Sequence, residues 1–300
     1  MKWIITIPAI LLFALAGCGK DKQSTNELIT VDVTVSYPKK ELILQDFMDV
    51  EYIPLETKDD FICQGLVLAI GKDIILARNR IRDGDIFIYD RKTGKGLKKI
   101  NREGQGGEEY TFIQRIVLDE KQNEIFVLDH FSRKISVYDL DGNFKRSLKR
   151  GDELYFLHLY NFNQTSLITN NYWVTDKPAF TIISKQDGTT KQIQIPFKEK
   201  ISMPVNYSDK AKDIYYNVIP DNYNPIIPYF DCWVLVEQSS DTVYKYQSDH
   251  KMIPIIARTP SVQSMNPEVF LFLGILTNRY YFMETVKKEY NFETHEGFPT

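Results

Sequence analysis

The chain has 300 residues, of which 43% are hydrophobic and 13% aromatic, which suits one large all-β domain or two smaller domains. Its 37 basic and 40 acidic residues give a formal net charge of −3, so charge offers no attraction to nucleic acid and no nucleic-acid partner is expected. The 18 Tyr and 18 Phe favour strands over helices.

The N-terminus predicts export. An apolar run over residues 3–16 follows Lys2 and has the length of a signal-peptide core, too short for a stable membrane span. It ends in Leu-Ala-Gly-Cys at 15–18, which resembles the lipobox of bacterial lipoproteins and implies cleavage before Cys18 and lipidation of that residue. An ordinary signal peptide with a chance cysteine is the alternative. We predict a signal peptide over residues 1–17, a flexible tether over 18–28 and one folded domain over 29–300.

Short β-rich runs separated by turn signals follow in chain order. Strand–turn–strand patterns are predicted at 85–100, 123–148, 179–195, 231–256 and 269–286. The segments 87–90, 136–139, 181–184 and 243–246 align, with Asp90, Asp139, Ser184 and Tyr246 in the last place. Repeats of 45 to 49 residues with four strands each predict β-propeller blades, and an insertion of roughly 15 residues falls within 201–229.

The most glycine-dense stretch is NREGQGGEEYTF at 101–112. A phosphate-binding loop needs a following helix and usually a lysine. Here the glycines precede Glu108, Glu109 and a strand-like run instead. The stretch therefore predicts a tight crossing between two blades.

Several segments carry a family resemblance. Residues 123–148 resemble an NHL-type propeller repeat, and residues 50–57 and 104–110 resemble the Gram-negative lipoproteins called six-bladed β-propeller proteins. Their blade junction carries Gly-x-Gly-Pro-Gly-Glu-Tyr, from which Gly107 and Glu108 depart here. The resemblance covers roughly residues 28–290. It implies an all-β, NHL-like propeller of four-stranded blades and a lipoprotein, but no chemistry, since the family has no assigned activity.

Blades are predicted near 60–110, 111–155, 156–200, 226–258 and 268–300, and the last is cut short. Six blades of this length need more chain. We favour a C-terminally truncated member over a smaller or incomplete ring. The alternating residues 29–36 are candidates for closing the ring on a last blade.

No metal or catalytic motif stands out. The four histidines, His130, His158, His250 and His295, lack metal-ligand spacing. Residues 139–143 resemble a calcium loop without its twelve-residue frame, and 82–85 are first a turn. No cofactor is predicted, and calcium is left open without a supporting ligand set. Beyond Cys18, the apolar neighbours of Cys63 and Cys232 favour two buried thiols, with a disulfide left open.

The insertion at 201–229 is the best candidate for binding. It holds Tyr207, Tyr215, Tyr216 and Tyr223 among turn-forming residues, and Trp173 is a weaker candidate elsewhere. The alternative is that these rings only cover the flank of a blade.

We predict a lipid-anchored envelope protein, on an outer-membrane face that the sequence leaves open. It acts as a binding or scaffold module for a glycan, a peptide or an envelope protein through a propeller face. The alternative is a propeller lyase or hydrolase with a channel-bound metal, which would require a cluster of Asp, Glu, His or Asn at the channel mouth. A protein needed only for assembly of a larger envelope complex is the third hypothesis.

Overall fold

The structure is a computed structural model of the chain. It describes residues 28–37, 43, 45, 49–80, 83–149, 156–171, 178–211 and 213–300. The predicted signal peptide, Cys18 and Trp173 lie outside these residues. Within them, no helix is long and apolar enough to cross a membrane.

The described residues form short antiparallel sheets that follow one another along the chain, after a first strand β1 (Ile29–Asp32). The first sheet contains β2 (Leu66–Ile70), β3 (Ile74–Arg78), β4 (Asp85–Asp90) and β5 (Gly96–Asn101). The second contains β6 (Ile113–Asp119), β7 (Glu124–Asp129), β8 (Lys134–Tyr138) and β9 (Phe144–Lys149). The third contains β10 (Phe156–Asn161), β11 (Ser166–Asn171), β12 (Phe180–Ser184) and β13 (Thr190–Ile193).

A separate hairpin of β14 (Val205–Asp209) and β15 (Ile214–Val218) precedes the fourth sheet. The fourth sheet contains β16 (Ile226–Tyr229), β17 (Cys232–Leu235), β18 (Thr242–Gln247) and β19 (Met252–Thr259). The fifth sheet contains β20 (Val269–Leu276) and β21 (Tyr281–Lys287), followed by the short pair β22 (Tyr290–Asn291) and β23 (Glu296–Gly297). The strand–turn–strand predictions are thus confirmed.

Consecutive sheets pack face to face, which is the arrangement of propeller blades. Leu76 and Ile88 of the first sheet share one buried cluster with Ile116 and Val127 of the second. The following interfaces bury the pairs Leu128 and Leu159, Ile182 and Ile226, and Val234 and Leu271. The branched side chains that favour strands are therefore also the ones that hold the sheets together.

The outer face of the first sheet is covered by chain that precedes it. Leu55 and Phe61 pack against Phe87 and Tyr89, with the rings of Phe61 and Tyr89 edge to face at 5.7 Å. The side chain of Glu56 accepts a hydrogen bond from the amide of Gly96 at 2.8 Å. Part of the family-like segment 50–57 thus lies where a preceding blade would pack.

The first strand does not close a last blade. β1 pairs in parallel with β19, with Ile29 opposite Ile256, and so widens the fourth sheet to five strands. Val31 and Val33 are buried in the cluster that joins the fourth and fifth sheets. The prediction that residues 29–36 close the ring on a last blade is wrong, because Val31 and Val33 are buried beside β19 of the fourth sheet.

Two boundaries of the repeat also differ from prediction. Three buried tyrosines occupy equivalent positions in their blades: Tyr89, Tyr138 and Tyr246. In each case the backbone amide of the next residue donates the hydrogen bond that closes the turn to the following strand. Tyr246 is therefore equivalent to Tyr89, whereas the sequence alignment pairs it with Asp90. In the same region, residues 226–229 form β16 of the fourth sheet, so the insertion is shorter than 201–229.

Polar contacts fasten the loops of adjacent sheets. The carboxylate of Glu120, in the turn after β6, accepts hydrogen bonds from the amides of Lys72, Asp73 and Ile74 at 2.5, 2.9 and 3.0 Å. Lys72 and Asp73 lie in the β2–β3 connection and Ile74 is the first residue of β3, where strand pairing leaves backbone donors without partners. One side chain therefore satisfies three donors of the preceding sheet.

A buried ion pair joins the second and third sheets. The ammonium of Lys185 lies 2.5 Å from Asp119 and also donates to the Asn161 side chain at 2.7 Å and to the Asn163 carbonyl at 2.6 Å. Lys185 and Asp119 are both buried. A buried charge is tolerated when its hydrogen-bonding capacity is filled in this way.

Both cysteines of the described residues are free thiols. Cys232 is buried and Cys63 is half-buried. Burial raises the pKa of the Cys232 thiol. Of the two buried thiols predicted, the structure buries one fully.

Candidate functional site

The glycine-rich stretch is a crossing between the first and second sheets. The Glu109 carboxylate folds back and accepts a hydrogen bond from the amide of Gly106 at 2.7 Å. A Cβ atom on Gly104 would lie 2.0 Å from the same carboxylate oxygen, so a larger residue there would displace the Glu109 side chain. Because a carboxylate of the chain itself lies in this loop, the geometry agrees with the predicted blade crossing.

The neighbouring Tyr110 has an equally structural role. Its hydroxyl donates to the Gly84 carbonyl at 2.7 Å and accepts from the Arg102 amide at 3.0 Å. Its ring lies edge-on to that of Tyr138 at 5.9 Å. Burial raises the pKa of Tyr110, so the hydroxyl stays a donor. The family-like Glu-Tyr pair therefore helps to hold the two sheets together.

Three of the predicted ligand-binding tyrosines come together on the β14–β15 hairpin. Tyr207 and Tyr216 lie directly opposite each other, so they share one face of the hairpin. Both rings stack on Phe292, at 4.9 and 6.0 Å between centroids. Phe292 lies in the turn between β22 and β23, where Tyr290 contacts it edge-on at 4.8 Å. This aromatic base fixes the hairpin against the C-terminal segment.

The opposite face of the hairpin is polar and open to solvent. We call Asn206, Ser208, Tyr215 and Asn217 the Tyr215 face, because their alternation places them together and all four are exposed. Tyr215 is 65% exposed, more than Tyr207 or Tyr216. Its hydroxyl donates to the Asn206 side chain at 3.1 Å, and the Asn217 amide donates to the same oxygen at 2.9 Å. One aromatic ring is thus held among amide and hydroxyl groups.

The remaining predicted residues lie elsewhere. The hydroxyl of Tyr223 donates to the Val236 carbonyl and the Gln238 side chain, both at 2.8 Å. Its ring contacts Phe272 at 5.3 Å between the fourth and fifth sheets. Tyr223 therefore fits the alternative hypothesis for the insertion, in which a tyrosine ring covers the flank of a blade and does not bind a ligand. Trp173 lies outside the described residues.

A second candidate site is the channel between the first three sheets. A cavity of about 460 Å³ is lined by the innermost strands β2, β6 and β10, together with Arg78. Leu66, Val67 and Ile70 of β2 are exposed along it, and Arg115, His158 and Tyr160 contribute polar atoms. The channel wall is therefore mostly apolar, with cationic and aromatic side chains set into it.

Each of these three inner strands carries a register shift against its neighbour. The shifts fall between Val67 and Ala69, between Ile113 and Arg115, and between Phe156 and Leu159. A β-bulge redirects the side chains beside it and is common next to functional sites. Arg115 flanks one of these bulges and His158 lies inside another.

The electrostatics of the channel are dominated by arginine. Burial lowers the pKa of His158, and the charge of Arg115 lowers it further. The rings of His158 and Tyr160 are parallel, 6.3 Å apart. The lowered pKa favours the neutral form of His158, and Arg78 and Arg115 are the arginines among the lining residues of the channel.

The described residues contain no group of three or more His, Cys, Asp or Glu side chains that could hold a metal. The calcium-like stretch 139–143 is a hairpin turn, in which the Asp139 carboxylate accepts hydrogen bonds from the amides of Asp141 and Asn143 at 2.9 and 2.8 Å. In 82–85, Asp83 likewise accepts from the Asp85 amide at 3.1 Å. Among the described residues, no set of side chains could bind the metal that a propeller lyase or hydrolase would need.

The packed sheets and their channel define a β-propeller with two candidate binding surfaces. The chain belongs to the family described as "6-bladed beta-propeller", whose model matches residues 19–298. The predicted family and fold class are thereby confirmed. A search of curated proteins gave no significant match.

A solved structure shows a similar fold. The chain is similar to a putative exported protein from Bacteroides fragilis, with a TM-score of 0.54 and 13% identity over 91% of this chain and 79% of that one. It is also similar to a member of the duf4221 family from Bacteroides vulgatus, with a TM-score of 0.49 and 11% identity over 78% of this chain and 74% of that one. A catalytically inactive virginiamycin B lyase from Staphylococcus aureus gives a TM-score of 0.40 and 10% identity over 73% and 61%. At these identities the likeness concerns the fold alone.

Sequence reasoning missed the channel residues. Arg78, Arg115 and Tyr160 lie on three different strands and share no local motif. Their position in the repeats could have identified them, because Arg115 and His158 lie on the first strands of two consecutive repeats. The first strand of a blade lines the central channel, so polar residues there are candidates for a site.

Proposed function

We propose that the protein is an envelope-anchored binding module that binds a glycan through the Tyr215 face of the β14–β15 hairpin. The observation that carries this proposal is the highly exposed Tyr215 ring, held among Asn206, Ser208 and Asn217. Exposed aromatic rings among adaptable polar side chains are typical of recognition surfaces. Their position on a loop-like insertion of a rigid scaffold is where binding residues concentrate.

The chemistry of this face favours a sugar over the other predicted ligands. A sugar ring offers an apolar C–H face that stacks on an aromatic ring, and hydroxyls that pair with amides. Tyr215 supplies the ring, and Asn206 and Asn217 supply donors and acceptors. A partner protein needs about 800 Å² on each side for a stable interface, more than the exposed side chains of one short hairpin face offer.

The base under the hairpin supports the same proposal. Tyr207 and Tyr216 stack on Phe292 and so hold the two strands in place on the side away from Tyr215. A face whose geometry is fixed before the ligand arrives loses less entropy on binding. The tyrosines of the insertion thus divide into a supporting pair and one ligand-facing ring.

The envelope location rests on other observations. The residues before Cys18 have the composition of a lipoprotein signal, and the structure is similar to a protein described as a putative exported protein. Lipidation of Cys18 would tether the propeller to a membrane through residues 18–28. Metabolic labelling with a clickable fatty acid, compared with Cys18→Ser, tests this part.

The binding proposal is tested on a glycan array with the mature protein, followed by calorimetry on the strongest glycan. We expect Tyr215→Ala to weaken binding about tenfold, since the stacking ring is lost. The matched control is Tyr52→Ala, which removes a 90% exposed tyrosine from the segment before the first sheet. Absence of any glycan on the array, or equal affinity of the two variants, contradicts the proposal.

A further inference from the structure

We propose that the end of the fourth and fifth sheets that carries Phe230 faces a membrane, and that the Phe230 ring inserts among the phospholipid headgroups. This proposal rests on the proposed lipid anchor at Cys18 and is independent of glycan binding by the Tyr215 face. Three observations carry it: the direction of β1, the exposed apolar side chains at one end of these sheets, and the backbone conformation of Phe230.

The first strand indicates the end of the molecule at which the anchor lies. β1 runs parallel to β19, with Ile29 opposite Ile256. Because β19 begins directly after the turn at residues 248–251, β1 also runs away from that turn. The chain that precedes Ile29 therefore joins the fourth sheet from the end where this turn lies. Residues 18–28 can span at most roughly 40 Å, so a lipid on Cys18 keeps this end close to the bilayer.

Phe230 lies at this same end of the fourth sheet. It belongs to the two-residue turn between β16 and β17. Cys232, the first residue of β17, lies opposite Gln247, the last residue of β18. The turn that holds Phe230 and the turn at residues 248–251 are therefore at one end of the sheet. The Phe230 side chain is 76% exposed there.

The adjoining turn of the fifth sheet adds to the apolar surface. The Tyr229 hydroxyl donates to the Thr277 carbonyl at 3.4 Å, and the Tyr281 hydroxyl donates to that of Tyr229 at 3.3 Å. These bonds join the ends of the two sheets. Ile275, two residues before Thr277, is 56% exposed. Apolar side chains that gather at one exposed edge among polar groups are typical of a membrane or protein contact.

The backbone presents the Phe230 ring in an unusual conformation. Phe230 has a φ of 52°, in the left-handed region that bulky residues seldom adopt. Its ring contacts that of Tyr229 edge-on at 4.8 Å, so one edge is supported while most of the ring meets solvent. A strained turn that exposes a large apolar ring does not favour folding, which points to a function for the ring.

A bilayer fits this surface better than a partner protein. Aromatic rings favour the headgroup region, where the ring is covered and polar neighbours stay hydrated. Asp231, the other residue of the turn, is exposed and can remain in the water beside the headgroups. A stable protein interface needs about 800 Å² on each side, which is more than the tip of one turn offers.

The test follows tryptophan fluorescence of the full lipidated chain in phosphatidylcholine vesicles with brominated acyl chains. Phe230→Trp places a reporter at the proposed contact. Phe131→Trp is the matched control: Phe131 is 67% exposed in the β7–β8 turn, and in each four-stranded blade the turn between the second and third strands lies opposite the turn that holds Phe230. We expect about threefold stronger quenching of the tryptophan added at position 230, since a ring at the interface lies within roughly 5–10 Å of the acyl boundary. The wild-type signal is subtracted, because Trp173 and Trp233 remain.

Flotation of the vesicles separates this proposal from the anchor on which it rests. A wild-type protein that does not float with the vesicles overturns both. A protein that floats, but whose two variants are quenched equally, leaves the anchor in place and overturns the orientation.

A second variant tests whether the ring serves the fold instead. Phe230→Asn puts a residue that tolerates the left-handed conformation into the turn. We expect its Tm, followed by circular dichroism of the mature chain, to equal or exceed that of the wild-type protein. A lower Tm would show that the ring is needed for folding and would contradict the proposal.

Discussion

The Glu109 carboxylate accepts a hydrogen bond of 2.7 Å from the backbone amide of Gly106, and so closes the crossing between the first two blades. The same oxygen lies where a side chain on Gly104 would fall. The next residue, Tyr110, is buried: its hydroxyl bonds to Gly84 and Arg102 on the side of the first sheet, and its ring contacts Tyr138 of the second. These four residues give the glycine-rich stretch a structural role in the crossing between the blades.

Removing the Glu109 side chain should destabilise the protein. Glu109→Ala loses a charge-assisted hydrogen bond to the loop, and we expect a cost of about 1–2 kcal/mol in the free energy of unfolding. Urea denaturation followed by circular dichroism measures it. Glu108→Ala is the control, because Glu108 is exposed and contributes its backbone carbonyl, not its side chain, to the contact with Tyr138. Equal midpoints for the two variants would show that the loop does not need its carboxylate.

The Glu120 contact predicts a second stability effect. Glu120→Ala leaves the amides of Lys72, Asp73 and Ile74 without their shared acceptor, and we expect a loss of about 2 kcal/mol. Lys121→Ala, in the same turn with its side chain exposed, should change the midpoint little. If hydrogen exchange of the three amides is as slow in Glu120→Ala as in the wild-type protein, the contact is not formed in solution.

The buried ion pair predicts a larger and non-additive effect. Lys185→Met leaves the Asp119 carboxylate buried without its partner, and we expect a cost of about 3–5 kcal/mol. Adding Asp119→Leu should restore part of the loss, since the orphaned charge is then removed. A double variant whose losses simply add would show that the two residues act independently.

The hairpins could be predicted from sequence because each one is encoded locally. The Asp-Gly turn after Tyr138 places Gly142 at a φ of 84°, a conformation that favours glycine, and branched residues flank it. The pairing of Ile29 with Ile256 could not be predicted, since a short alternating strand fits many sheet edges and this partner is remote in sequence. The channel escaped prediction for the same reason, because Arg78, Arg115 and Tyr160 meet only when three sheets are assembled.

His158 predicts a pH dependence of stability. Burial and Arg115 lower its pKa in the folded state, whereas in the unfolded chain it titrates near 6.5. The unfolded state therefore binds more protons below that pH, and the contribution of His158 to stability, present above about 6.5, is lost as the pH falls. We expect the stability of the wild-type protein relative to His158→Gln to decline between pH 7.5 and 5.5. The decline should be smaller in an Arg115→Gln background, and parallel curves would contradict the assignment.

We propose that the glycan binds on the hairpin insertion, and hydrogen–deuterium exchange with a bound glycan tests this location. The protein is compared with and without the strongest glycan from the array. We expect slower exchange in peptides that cover β14 and β15, with exchange in the channel strands β2, β6 and β10 unchanged. Protection confined to the channel strands, with unchanged exchange over residues 205–218, would contradict it.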